Sequence, residues 1–281
     1  MKHISIIPLI AFVMLFAACD KIDEGHYTYF SGAAGTWYES TADIPHTPHA
    51  LIEKYTGVRC VNCPKADEVI HSASEKYGDQ LIAVAIHSHS TGFGRPLNDD
   101  PTLCTPEGDE LYNYFGIFGQ PKALINRVHK DGGWDLFTPT SNFDSRIDDA
   151  LGSAPKVAIM TENGKFNDST YNTDIHLEFL ESLSEEVTVS LLIIEDKIYT
   201  TQISPEGDID NYEQNHVLRT FVTNLWGLDY TRDKSQGSKS MVRLTYQLPD
   251  NLKPENCHTV AFVSFKESRE IINAIQQKLI Q

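Results

Sequence analysis

The 281-residue chain carries 23 Lys plus Arg against 39 Asp plus Glu, a formal net charge of −16. It has no basic cluster, so duplex nucleic acid, which must be met by cations that replace phosphate counterions, is set aside as a partner. A hydrophobic content of 41% excludes a disordered chain, and the length suits two domains.

Residues 1–19 read as an export segment. Lys2 and His3 precede an apolar run from Ile4 to Phe16 that is too short for a spanning helix and gives way to small residues. Leu15-Phe16-Ala17-Ala18-Cys19 resembles a bacterial lipobox, with Phe16 where Leu is usual. That resemblance makes Cys19 the lipidated first residue of a mature protein anchored to a membrane that it does not span. Ordinary cleavage after Ala18, leaving Cys19 as a free thiol, is the alternative. The other cysteines are Cys60, Cys63, Cys104 and Cys257, in a compartment where disulfides persist, and spacing does not choose among their pairings. Cys257, inside an apolar run, reads as a buried inert thiol.

Residues 20–48 lack a sustained period and are rich in Gly, Thr, Ser and His, the pattern of a tether, with one strand expected around 27–30. Asp20, Asp23 and Glu24 follow the lipid site and are read either as resembling a surface-export signal or as a solvated linker. The order then becomes regular. A strand over 50–55 leads to Cys60-Val61-Asn62-Cys63-Pro64, and residues 66–77 carry Ala66, Val69, Ile70, Ala73 and Tyr77 at helical spacing. Two thiols at a helix N-terminus feel its partial positive charge, which stabilises the Cys60 thiolate and suits thiol–disulfide exchange. Residues 80–87 form an almost continuous apolar run, the pattern of a strand covered on both faces. A loop over 88–105 and a helix over 106–115 follow, then Gly119-Gln120-Pro121 and the apolar Ala123-Leu124-Ile125. Pro121 is the residue here able to adopt a cis bond. Asp131-Gly132 signals a tight hairpin, and a helix is expected over 141–151.

This series resembles the thioredoxin superfamily over residues 48–153. The resemblance implies a cis-proline loop at Pro121 facing Cys60 and Cys63 and offering backbone to a substrate. It also places Glu53 near the family's buried acid, which assists proton transfer. Arg59 stands where that family usually has Trp. The domain boundaries expected are 1–19 for the signal peptide, 20–48 for the tether, 49–153 for the thioredoxin-like domain and 154–281 for a second domain.

In that second domain the pattern changes to alternation. Ile175, Leu177 and Phe179 alternate with polar residues, as do Val187, Val189, Leu191 and Ile193, and later Val242, Leu244, Tyr246 and Leu248. Such runs, divided by turn signals at Asn163-Gly164 and Pro205-Glu206-Gly207, predict an antiparallel immunoglobulin-like β-sandwich of roughly seven strands. Residues 257–265 and 271–279 are its last elements, the second read as either strand or helix. The expected fold class is therefore α/β plus all-β. With the lipobox, Cys60 to Pro64, the Pro121 segment and His216-Val217-Leu218-Arg219 taken together, the chain resembles outer-membrane lipoproteins of Bacteroidetes-type bacteria that join a thioredoxin-like domain to a β-sandwich.

Two functions follow. In one, Cys60 attacks as thiolate and Cys63 resolves the mixed disulfide with a partner protein's thiols or disulfides. In the other, the pair is a static disulfide in a surface module that binds a protein or glycan. Zinc would want four ligands, and no cofactor is implied by either reading. Cys104 is read as a partner thiol for Cys60 or as a structural residue. His87 and His89 lie at a strand end, on different sides of it if the strand continues. Asp208, Asp210 and Asn211 lack the glycine of a calcium loop.

Overall fold

The computed structural model describes residues 34–140, 143–167 and 169–280. The strand expected around 27–30 lies outside them, as does Cys19. Within the expected tether, a strand forms further on, β1 (Thr36–Glu39). It is followed by β2 (Ala50–Thr56), whose residues are all buried, and by α1 (Cys63–Tyr77). The helix starts at Cys63 and not at 66, because Pro64 fits the first turn, where no N–H is needed.

Strand β3 (Leu81–His87) lies parallel to β2 in a register from Ala50↔Leu81 to Thr56↔His87. Burial on both faces explains why the two strands read as unbroken apolar runs. Helix α2 (Pro106–Phe115) opens on a Thr105 cap and ends at Gly116 in the left-handed region, φ 66°. The Gln120–Pro121 bond is cis and leads into β4 (Lys122–Ile125), antiparallel to β2. β5 (His129–Lys130) and β6 (Gly133–Trp134) form the expected hairpin, with Asp131 and Gly132 both at positive φ. Helix α3 (Asp144–Leu151) completes this half, and residues 141–142 lie outside the description.

The rest of the chain is β structure. β7 (Val157–Lys165) and β8 (Thr170–Phe179) pair with each other, and β9 (Val187–Glu195) is wholly buried. β10 (Ile198–Ser204) and β11 (Gly207–Gln214) form a separate hairpin, followed by β12 (Val217–Phe221) and the short β13 (Leu228–Asp229). β14 (Lys239–Gln247), β15 (Cys257–Phe265) and β16 (Ile271–Lys278) end the described chain, which settles residues 271–278 as strand. The segments exceed the roughly seven expected. The turn expected at Asn163-Gly164 does not form there: both residues lie inside β7, opposite Thr173 and Asn172, and the chain is closed back onto β8 by Phe166 N donating to Thr170 O. Half-buried, the Asn163 side chain bridges to the larger sheet, donating to Thr259 Oγ1 and Lys278 O at 2.9 and 2.8 Å.

Two sheets face each other. The smaller has the order β1-β14-β8-β7, so that β1, from ahead of β2, pairs with β14 near the far end of the chain. The larger has the order β16-β15-β9-β12-β3-β2-β4 and runs through both halves, joined where Val217 pairs in parallel with Ala85. One apolar core fills the space between the sheets, around Val189, Leu191, Ile175, Leu244 and Val263. A second core lies on the other face of the large sheet, under α2. A third lies between β2–β3–β4 and helices α1 and α3. The large sheet curls far enough that Ile271 N donates to Asn126 O, just past β4, at 2.9 Å.

Candidate functional site

Cys60 and Cys63 form a disulfide with Cα atoms 5.4 Å apart. The loop that holds it is a chain of turns in which Cys60 N donates to Gly57 O and Cys63 N to Cys60 O. Cys63 opens α1 and points to its buried side with Ala66 and Ile70. Gly57 is required because a Cβ there would lie 2.4 Å from Phe93 O, in the loop that packs against it. Arg59 holds that same loop, donating from its backbone to Phe93 O and from its guanidinium to Arg95 O and Pro96 O.

Pro121 is buried and follows the cis bond. The preceding Gln120 donates through Nε2 to Thr56 O at 3.2 Å, at the end of β2, and to the Tyr112 hydroxyl. Tyr112 of α2 in turn lies 2.9 Å from Thr56 O. The residue before the cis-proline is thus tied to α2 and to the end of β2, from which the Cys60 loop departs.

Glu53 is elsewhere. Strand alternation sends it to the face opposite α1, where it receives two hydrogen bonds from Arg127, at 2.8 and 2.6 Å, in full burial. The ionisable group that β2 turns toward α1 is Lys54, paired with Asp67 of α1. Asp67 stands one turn after Cys63, and its other oxygen accepts from the Tyr212 hydroxyl at 2.9 Å. Burial draws the Lys54 amine down to about 7. Alternation within β2, where Ala50 and Ile52 also face α1, would have found it.

Cys104 is a free, buried thiol donating to Gly94 O at 3.1 Å, and burial pushes it up to about 12. It lies on the wall of a cavity of about 770 Å³ shared with Glu107, Glu195 and Arg219. Cys257 is likewise buried and unpaired, its thiol pushed up by burial. His87 is enclosed, and both its ring nitrogens lack a hydrogen-bond partner among the described residues. His89 instead pairs with Asp109. Asp208, Asp210 and Asn211 are exposed on β11. Among the described residues, Glu162, Asp174 and His176 come close enough to share a cation, but Asp174 is already bound by Arg243, with Nε at 2.7 Å.

The β10–β11 hairpin lies over the disulfide loop, a contact that sequence reasoning missed. Ile203 N donates to Val58 O at 2.8 Å, and Gln202 Nε2 reaches Gly57 O and Cys60 O at 3.3 and 3.2 Å. Cys60 is left 3% exposed.

Comparison with solved structures finds HBP35 of Porphyromonas gingivalis, with a TM-score of 0.66 and 16% identity over 84% of this chain and 77% of that one. A crystal structure of a protein from Agrobacterium tumefaciens aligns with a TM-score of 0.53 and 16% identity, over 84% of this chain and 97% of the other. A domain of the outer membrane lipoprotein Omp28 from Porphyromonas gingivalis also matches, with 22% identity over 44% of this chain and 88% of that chain, at a TM-score of 0.34. The first two share the fold. No curated protein matches. Among the described residues no helix is long and apolar enough to cross a membrane. The model of the outer membrane protein Omp28 family matches residues 108–281, more than half of the sequence, a stretch that begins after the cysteine pair. The chain belongs to the Omp28 family of outer membrane proteins.

Proposed function

We propose that the protein is a thiol–disulfide exchange protein of the outer membrane, tethered by lipid on Cys19 after removal of residues 1–18 as a signal peptide. In this reading residues 49–153 are a thioredoxin-like unit, and the β-sandwich that carries it is of immunoglobulin-like type. The observation that carries it is the Cys60–Cys63 disulfide at the start of α1, on the loop that leaves β2 where Gln120, the residue before cis-Pro121, donates to Thr56 O. A substrate thiolate attacks Cys60 Sγ, the Cys60–Cys63 bond breaks, and the electron pair leaves on Cys63 sulfur, which takes up a proton. A second substrate thiol then displaces Cys60, so the substrate leaves as a disulfide and the pair as two thiols. The reverse sequence transfers the same two electrons to a substrate disulfide. Pro121 shapes the groove in which the substrate strand lies, and the positive end of α1 stabilises the departing thiolates. Glu53, held by Arg127, takes no part, and Cys104 serves the packing of the loop over 88–105.

A second reading rests on the burial of Cys60: a surface binding module in which the disulfide is static. Turnover separates the two. Exchange on insulin or a scrambled disulfide substrate is expected for the wild type and absent in Cys60→Ser. A reduction potential below roughly −300 mV together with no turnover would leave the binding module.

A further inference from the structure

We propose that the β10–β11 hairpin is a gate on the Cys60–Cys63 disulfide, and that exchange at Cys60 proceeds when the hairpin lifts away. This inference rests on the exchange reading for its purpose, although the gate itself is a matter of access. An attacking thiolate must reach Cys60 Sγ in line with the disulfide, and Cys60 is 3% exposed. The loop at Phe93 and Gly94 packs against Gly57 and accepts from Arg59 N, and the hairpin donates to the disulfide loop from Ile203 N. Ile203 N and the Gln202 side chain occupy the carbonyls of Val58, Gly57 and Cys60, so an extended chain could use them only by displacing β10.

The hairpin is built to detach. Its two strands pair with each other alone, as an excursion between β9 and β12, which are themselves adjacent and antiparallel. At its neck Lys197 and His216 both sit at left-handed φ, 58° and 59°, with Lys197 N held by Asn215 Oδ1 and His216 N by Asp196 Oδ1. Beyond the neck its inner face is polar: Thr200, Gln202, Ser204 and Gln214 are buried there, and Gln214 Nε2 orients Gln202 through Oε1 at 3.1 Å. Ile198, at the neck, is its apolar anchor against Val58 and Leu103. Lifting the hairpin therefore exchanges hydrogen bonds for water and exposes little apolar surface, the mark of a low-cost local opening. Tyr212, whose hydroxyl reaches Asp67 on α1, latches the outer strand.

The test is the rate at which dithiothreitol reduces the pair in the full chain. Its thiolate attacks Cys60 Sγ, the electron pair passes to Cys63 with a proton, and its second thiol closes to the cyclic disulfide and frees Cys60. Gln202→Ala combined with Tyr212→Phe is expected to speed this by about tenfold, and replacing residues 198–215 by a short turn from β9 to β12 by more. Rates within about twofold of wild type in folded variants would overturn the gate. Should the shortened chain fail to fold, hydrogen exchange of the wild type decides: faster exchange at the Ile203 amide than at Val222, which donates to Leu191 O inside the sheet, supports the gate, and equal protection overturns it. Dithiothreitol needs no natural substrate, so lack of turnover on proteins would sink the exchange reading and leave this result standing.

Discussion

Two buried polar groups, one just past β4 and one at the end of β3, are managed in opposite ways. Arg127 holds left-handed backbone, φ 51°, to bring its guanidinium onto Glu53, and the rings of Phe115 and Phe262 lie over it at 5.4 and 5.2 Å. A charge so deep persists because both its partner and its planar faces are satisfied. His87 has no such partner, and burial, reinforced by the positive charges of Lys54 and Arg219, draws it down to about 3 from an ordinary 6.5. Between those two values the unfolded chain binds a proton at this position that the folded chain does not. Stability present above pH 6.5 is therefore lost as the pH falls toward 3, at up to roughly 1.4 kcal/mol per pH unit. Urea denaturation of wild type and His87→Leu at pH 7 and pH 4.5 tests this. The variant is expected to lose less stability than wild type between the two values. An equal loss would mean that His87 does not stay neutral in the fold.

Among the elements, α2 was readable in sequence down to its first residue. Thr105 accepts from Gly108 N at 3.0 Å, Pro106 fills the first turn, and Gly116 ends the helix in the left-handed region. Gly108 has a second role that its local sequence does not express. The helix crosses the end of β3 so closely that a Cβ at 108 would lie 2.4 Å from His87 O. Removing the cap by Thr105→Ala should cost about 1 kcal/mol in urea unfolding. Gly108→Ala should cost more, about 1–3 kcal/mol, because backbone must move, although alanine is the better helix former. The reverse order would show that α2 is free to shift. Turn chemistry was less reliable: Asp131-Gly132 makes its tight turn, whereas Asn163-Gly164 is drawn into β7 by the partners its side chain finds on β15 and β16. A signal for a turn is local, and a cross-sheet hydrogen bond can outweigh it.

At the scale of the whole molecule, the larger sheet crosses the boundary expected at 153–154, and β1 pairs with β14 from the opposite end of the chain. Asn273, fully buried in β16, binds the two halves further: its Oδ1 accepts from His49 N, and its Nδ2 donates to Thr47 O and Val157 O. Shared strands and a shared apolar interior couple the segments energetically, so calorimetry should record one unfolding transition whose calorimetric and van't Hoff enthalpies agree. Removing residues 1–40 should lower its midpoint by stripping β1 from the smaller sheet. Two separate transitions in the intact chain would mean that the halves fold as independent units.

Local patterns along the sequence were enough to fix the cysteine pair at a helix start, the proline before β4, the buried parallel strands and the alternating β-rich second half. Each depends on residues within a few positions of one another, where sterics, capping and periodicity act directly. The face chosen by Glu53, the Lys54–Asp67–Tyr212 contacts and the cover over Cys60 depend on strand parity and on residues more than a hundred positions apart. Such contacts bring a hairpin of the second half onto a loop and a helix of the first, and hydrophobic pattern specifies that a face is buried without specifying what buries it. The sequence alone determined that two cysteines stand three apart at a helix start, and the tertiary structure decided that they are joined and that a hairpin from the far half of the chain lies over their loop.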